Sequence, residues 1–342
     1  MIANFRSDNE TPVAPAIMQA ILDANHGTAW AYADDEWSKR LNGVFSELFR
    51  TETIALPVPT GTVANSIALA TVTPPWGSVF CHTGAHIYGD ESGAPEFFGN
   101  GLRLVPVAGE NGKLEPAALE QAVKAVEGHG VHSYKPTVLS ITQATEAGTV
   151  YTIDEVRALC DTAHRLGMHT HMDGARFGNA IASLGCHPAE VTAEAGIDML
   201  SFGASKNGCM AAEALLFFNH PERYETAERL RKRSGHLFSK MRYVSAQLLA
   251  YIENDRWLNM AWHANHQASK FAAAIEKHAE AQLEYPVQAN EVFLKWTKQG
   301  FDHLEAQGIQ FGLWPGRNDL ARFVFGHSTS DEEVDLLVKS LG

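Results

Sequence analysis

The strongest constraint in this chain is an alternation that fills its first two-thirds. Short apolar runs, TIALPV (53–58), SVFCH (78–82), LRLVPV (102–107), TVLSIT (137–142), MHTHMD (168–173), DMLSFG (198–203) and ALLFFN (214–219), are separated by segments with helical spacing. TGTVANSIALATV turns on a glycine into a helix, and EPAALEQAVKAVEGHG ends on a glycine stop. TIDEVRALCDTAHRLG opens with a Thr cap and an acidic first turn and closes on Gly167. Apolar strands alternating with helices predict an α/β fold with a mostly parallel, covered, seven-stranded sheet. After about residue 220 the character changes. Helical segments over 221–280 are followed by VFLKW (292–296), a helix near 300–307, IQFGLW (309–314), LARFVF (320–325) and a terminal helix in DEEVDLLVKSLG. This predicts a smaller C-terminal α+β domain, with the division expected between 1–245 and 246–342.

The charge balance narrows the function classes. A net charge of −13 argues against binding nucleic acid or anionic membranes. Arg229, Arg231, Lys232 and Arg233 form a local basic run, whose simplest reading is a solvated helix face. Four widely spaced cysteines, Cys81, Cys160, Cys186 and Cys209, read as reduced thiols. No signal peptide and no apolar run of membrane-spanning length is visible, so the expected compartment is the cytoplasm.

Three stretches carry chemistry. In HTHMDGARFGNA, His169, His171 and Asp173 alternate and share one strand face, as a metal-ligand set or as a cluster that anchors something else. In SFGASKNG, Lys206 follows a strand in a small-residue loop, either solvated or an amine nucleophile for a carbonyl group. TGTVAN places Gly61 and Thr62 at a helix start, where N–H groups and the dipole favour an anion. Anion cradle, carboxylate and lysine, each after a strand of a parallel sheet, match what pyridoxal 5'-phosphate (PLP) needs.

HMDGARFGNA, SFGASKNG, AHIYGDESGAPEFF and FRSDNETP together resemble the low-specificity L-threonine aldolases, PLP enzymes of the aspartate-aminotransferase-like fold (fold type I). The resemblance runs from residue 5 to about 325. It implies a carbon–carbon lyase that cleaves L-threonine, L-allo-threonine and related L-β-hydroxy-α-amino acids, phenylserine types included, to glycine and an aldehyde. It implies that Lys206 carries the cofactor, that Asp173 anchors the pyridine nitrogen, and that His86 stacks on the ring. His132 resembles a second active-site histidine; His86, His132 or a water stands open as the base. Ser7 and Arg322 resemble the groups that hold the substrate carboxylate. Arg176 is expected on the cofactor ring oxygen or that carboxylate. Lys240, then Lys232, are the candidates for the phosphate, partly from a neighbouring subunit, and Tyr32 resembles a residue near a partner's site. The family's assembly is a homotetramer, a dimer of dimers with shared active sites. The alternatives are another fold-type-I reaction (β-elimination, transamination or glycine hydroxymethyl transfer), a metal-dependent hydrolase using His169, His171 and Asp173, or a non-catalytic binding module.

Overall fold

The computed structural model describes residues 2–218 and 220–342; Met1 and Asn219, the last residue of the expected run ALLFFN, lie outside them. After a two-residue strand β1 (Ala3–Asn4), the large sheet is built from β2 (Thr53–Val58), β3 (Gly77–His82), β4 (Arg103–Val107), β5 (Lys135–Thr142), β6 (His169–Gly174), β7 (Met199–Gly203) and β8 (Glu213–Phe218). Their spatial order is β2-β8-β7-β6-β5-β3-β4, and every ladder is parallel except the two that involve β8. All seven strands were expected, because each is too apolar to leave either face in water.

The two-residue period of a strand sorts its side chains between two cores. Leu200, Phe202, Leu216 and Phe218 enter one, whereas Met199, Leu215 and Phe217 enter the other. In the first, the Phe202 ring lies 5.2 Å from Phe45, 5.7 Å from Trp257 and 6.0 Å from both Phe177 and Tyr251. The second is covered by the helix Gly61–Val72, buried from Val63 through Leu69. His169, His171 and Asp173 therefore face this helix. Thr142 pairs with Asp173, and Asp173 with Ser201, so the carboxylate stands at the carboxyl edge of three adjacent strands.

Two glycines bring the strand ends together. A Cβ at Gly203 would sit 2.5 Å from the Ala175 carbonyl oxygen, and one at Gly174 would sit 2.8 Å from the Ser201 carbonyl oxygen. Only bare backbone allows β6 and β7 to finish this close, which is the physical content of the D-G-A-R and F-G-A-S-K spacings.

At the opposite edge, Asp198 ties the start of β6 to that of β7. It accepts from the Thr170 amide at 3.0 Å, and Thr170 Oγ1 accepts from the Asp198 amide at 2.9 Å. His220 Nε2 lies 3.1 Å away, His169 Nδ1 3.5 Å and Arg223 Nη1 3.9 Å. Burial pushes this carboxyl up, but its hydrogen bonds to His169 and Thr170 and the Arg223 charge outweigh that and hold it well below the usual range. A depressed acid stabilises the fold fully above its unfolded pKa of about 4 and loses that contribution as pH falls further. Asp198→Asn is expected to cost about 2 kcal/mol in urea unfolding at pH 7 and to flatten the loss of stability below about pH 4.

The remaining strands are β9 (Gln282–Leu283), β10 (Glu291–Lys295), β11 (Ile309–Gln310), β12 (Gly312–Leu313) and β13 (Leu320–Val324). Four form an antiparallel sheet in the order β12-β13-β10-β9. The expected single run IQFGLW is split, because β11 pairs with β1 whereas β12 pairs with β13. Ala3 and Phe5 thus bury in the small core with Phe271, Phe323 and Phe325. The helix Arg242–Ile252, which spans the expected division after 245, buries Val244, Leu248 and Tyr251 in the large core. The following helix, Arg256–Ile275, carries Trp257 in the large core and Phe271 and Ile275 in the small one. Among the described residues, no helix is long and apolar enough to cross a membrane.

Candidate active site

Two adjoining cavities open at the carboxyl edge of the large sheet and share Asn9, His86 and Lys206 in their walls. The first, about 350 Å³, is lined by Thr60, Gly61, Thr62, Asn65, Glu91, Asp173 and Glu213 among others. The second, about 500 Å³, is lined by Ser7, Glu146, Arg176, Trp314 and Arg322 among others.

The first cavity gathers the three groups that were widely separated in sequence. Lys206 projects from the one-turn segment Ser205–Asn207 just past β7. Glu213, on β8, fixes that turn by accepting from the Ala204 amide at 3.0 Å and the Ser205 amide at 3.4 Å. Burial pushes the Glu213 carboxyl up to about 7, against these bonds and the Lys206 charge. Asp173 accepts from the Ala175 amide at 3.0 Å and from Asn65 Nδ2 at 2.9 Å. Thr60 caps the helix Gly61–Val72 by accepting from the Val63 amide at 3.4 Å, so the first N–H groups of the helix face the cavity. A Cβ at Gly61 would meet nothing within 4 Å, so the backbone there borders open space.

His86 joins this network through Glu91. Its Nδ1 lies 2.9 Å from Glu91 Oε1, and the same oxygen accepts from Asn65 Nδ2 at 2.9 Å. One amide nitrogen thus bridges Asp173 and Glu91, while Glu91 Oε2 and Asn65 Oδ1 are buried with no hydrogen-bond partner among the described residues. Burial pushes the Glu91 carboxyl up, and the bond to Glu91 raises the imidazole of His86 against its own burial. Glu91→Gln keeps the shape and removes the charge. The His86 titration, followed by NMR of the ring protons, is expected above its ordinary midpoint in the wild type and lower in the variant.

In the second cavity, Ser7 starts a short turn by accepting from the Asn9 amide at 3.2 Å. Arg322, on β13, has Nη1 3.4 Å from Glu291 Oε1 and lines the cavity. Arg176 differs from expectation. Its Nε and Nη2 donate to Asp8 at 2.7 and 3.0 Å, and Nη1 lies 3.3 Å from Glu291 Oε2. The guanidinium borders the cavity but is committed to two buried carboxylates, so it braces the wall.

Four expected residues are not brought here within the chain. His132 precedes β5, whose eight residues at about 3.3 Å each put it roughly 25 Å away, at the opposite edge of the sheet. Lys232 and Lys240 line neither cavity; Lys232 Nζ lies 4.4 Å over the Tyr32 ring, and the Tyr32 amide donates to the Ser239 carbonyl. In the basic run, Arg231 departs from a solvated face. It is buried and donates to the Pro57 carbonyl at 2.9 Å. The alternating trio of β6 also separates by partner. His171 lies between Ser140 Oγ at 2.9 Å and Ser201 Oγ at 3.0 Å, and burial pushes it down to about 4, a neutral core imidazole. His169 belongs to the Asp198 cluster, leaving Asp173 alone to face the cavity.

This geometry accompanies a clear kinship. A model of the beta-eliminating lyase family matches residues 4–299. The low-specificity L-threonine aldolase of Pseudomonas aeruginosa is 41% identical over 98% of this chain and 96% of its own length. The chain belongs to the low-specificity L-threonine aldolase family. A second relative of that description, from Pseudomonas sp. strain NCIMB 10558, is 42% identical over 96% of this chain and 94% of its own length. The solved Leishmania major threonine aldolase superposes with a TM-score of 0.92 over 99% of this chain and 98% of its own, at 24% identity. That likeness establishes the fold. The cavities also show functional candidates that the sequence motifs did not single out. Asn9, Asn65, Glu91 and Glu213 wall the first cavity, and Asp8, Glu146 and Glu291 surround the second. Their detectable signal was position: Asp8 and Glu91 stand inside FRSDNETP and HIYGDE.

Proposed function

We propose that the chain is a PLP-dependent aldolase cleaving L-threonine, L-allo-threonine and related L-β-hydroxy-α-amino acids, phenylserine types included, to glycine and an aldehyde. The observation that carries this reading is the convergence of Lys206, Asp173 and the N-terminus of Gly61–Val72 on one cavity, adjoining a second that holds Arg322 and Ser7. The residues fit the cofactor: a free amine, a buried carboxylate, and helix N–H groups beside a glycine whose missing Cβ leaves room for a phosphate. Lys206 would attach it, Asp173 would keep its ring nitrogen protonated, His86 would cover the ring, and Gly61 and Thr62 would hold the phosphate. When bound, PLP supplies an electron sink for the bond broken at Cα.

The chain's own groups do the rest. Arg322 keeps its Nε/Nη2 edge beyond the Nη1 contact to Glu291, a bidentate match to the substrate carboxylate, with Ser7 in the same cavity wall. Asp8, Arg176 and Glu291 fix that wall, so the clamp is positioned before substrate arrives. Lys232, Lys240 and Tyr32 would reach a site only through a second copy, in a homotetramer with shared active sites. The acidic net charge suits a cytoplasmic protein that binds neither nucleic acid nor membrane. The units of the chain are best divided by their cores, with residues 2–5 joining the small unit and the change falling within Arg256–Ile275.

The test is product analysis with purified protein and PLP. Glycine and acetaldehyde from L-threonine support the reading. Pyruvate and ammonia from L-serine, without glycine from L-threonine, would transfer the chain to β-elimination.

A further inference from the structure

We propose that Glu146 is the catalytic base that takes the β-hydroxyl proton of the amino-acid substrate, an assignment that rests on the aldolase reading above. Across residues 136–151, Glu146 is the one residue that is not buried, and the surface it reaches is the second cavity. The turn that presents it is rigid. Thr145 Oγ1 accepts from the Ala147 and Thr149 amides, each at 3.2 Å, and lies 2.7 Å from Thr149 Oγ1. The Thr145 amide donates to the Thr149 carbonyl at 2.9 Å, and Gln143 bonds both backbone groups of Tyr151. Such a turn holds a side chain at a fixed place, as a reacting group requires.

Among the described residues, Glu146 makes no hydrogen bond and no ion pair, although its charge is felt by His86, Arg176 and Glu291. An uncommitted carboxylate amid committed neighbours needs a purpose. The other ionisable groups in this wall are His86, Asp90, Arg176, Lys206 and Arg322. The two arginines accept no proton. Lys206 is the amine reserved for the cofactor. His86 has Nδ1 held by Glu91, which favours its protonated form. Asp90 is exposed in its loop, where water competes for it. His132, the remaining histidine candidate, stands at the far edge of the sheet within its own chain and would meet a site only from a second copy. Glu146 alone combines a fixed position, partial burial and free acceptor capacity.

The step balances within the substrate and this side chain. Glu146 takes the proton of the β-hydroxyl, and the O–H electron pair becomes the second carbon–oxygen bond of the aldehyde. The Cα–Cβ bond breaks and its pair remains at Cα. Proton delivery to Cα completes glycine, so one proton leaves the substrate and one returns.

Glycine carries no β-hydroxyl, which separates this role from general support of the site. Holoenzyme bearing Glu146→Gln is expected to cleave L-threonine slower by on the order of 10²-fold or more. Its glycine affinity, read by titrating the visible absorbance, should stay within about twofold of wild type. Glu146→Asp, which keeps the carboxylate on a shorter stem, should fall between the two. The assignment is overturned if Glu146→Gln cleaves within about threefold of wild type, or if glycine affinity falls in parallel with cleavage. Glycine release by the wild type tests the aldolase reading, and the ratio of variant to wild type tests Glu146, so the two fail separately.

Discussion

Lys206→Ala is expected to reduce cleavage of L-threonine by on the order of 10³-fold or more, about 4 kcal/mol of barrier, and to abolish covalent retention of the cofactor. The lysine stands in a small-residue turn whose amides are held by buried Glu213, and it reaches both cavities. It is half-buried, and the buried Glu213 carboxyl beside it keeps its bonds to the Ala204 and Ser205 amides, so removing the lysine side chain threatens the fold little. A folded variant that loses turnover and no longer keeps PLP through gel filtration is the anticipated result, checked by circular dichroism and cofactor content. Retention of wild-type turnover would remove Lys206 from the chemistry.

Asp173→Asn should lower turnover by roughly 10³-fold while leaving the Lys206 attachment intact. The carboxylate is 3% exposed and held by the Ala175 amide and Asn65, so the isosteric amide fits the same space. What it lacks is the charge that keeps a neighbouring ring nitrogen protonated. A fall of about three units in that nitrogen's pKa corresponds to about 4 kcal/mol and to the predicted loss. The two variants therefore separate by cofactor content as well as rate: the Lys206 variant loses both, whereas the Asp173 variant keeps attached cofactor and loses rate. Equal rates for Asp173→Asn and wild type would mean the ring nitrogen is protonated by something else.

The large sheet was readable because each of its seven strands is a compact apolar run, a local signal. Lys206, Asp173, Gly61 and Thr62 were readable for the same reason, since Asp173 lies at the end of a strand and the others come just after one, which puts all four on one sheet edge. Long-range pairing is what hid the rest. The run IQFGLW divides because its first half pairs with residues 3–4, over three hundred positions earlier. Arg176 was expected on the cofactor ring oxygen or the substrate carboxylate; its ion pairs to Asp8 and Glu291 join residues too distant in sequence for a local pattern to show. His132 precedes β5 and so stands at the amino edge of the sheet; its place in the site came from the resemblance, and within one chain it lines neither cavity. Asn65, Glu91 and Glu146 carry ordinary surface-like side chains in sequence, and only folding buries the first two and turns the third into a cavity.

The most direct measurement is borohydride reduction of the purified protein with bound PLP, followed by peptide mass analysis. The account predicts visible absorbance that disappears on reduction and a cofactor label on the peptide containing Lys206. A protein that stays transparent in the visible with PLP present, or that carries the label on a different lysine, would contradict it.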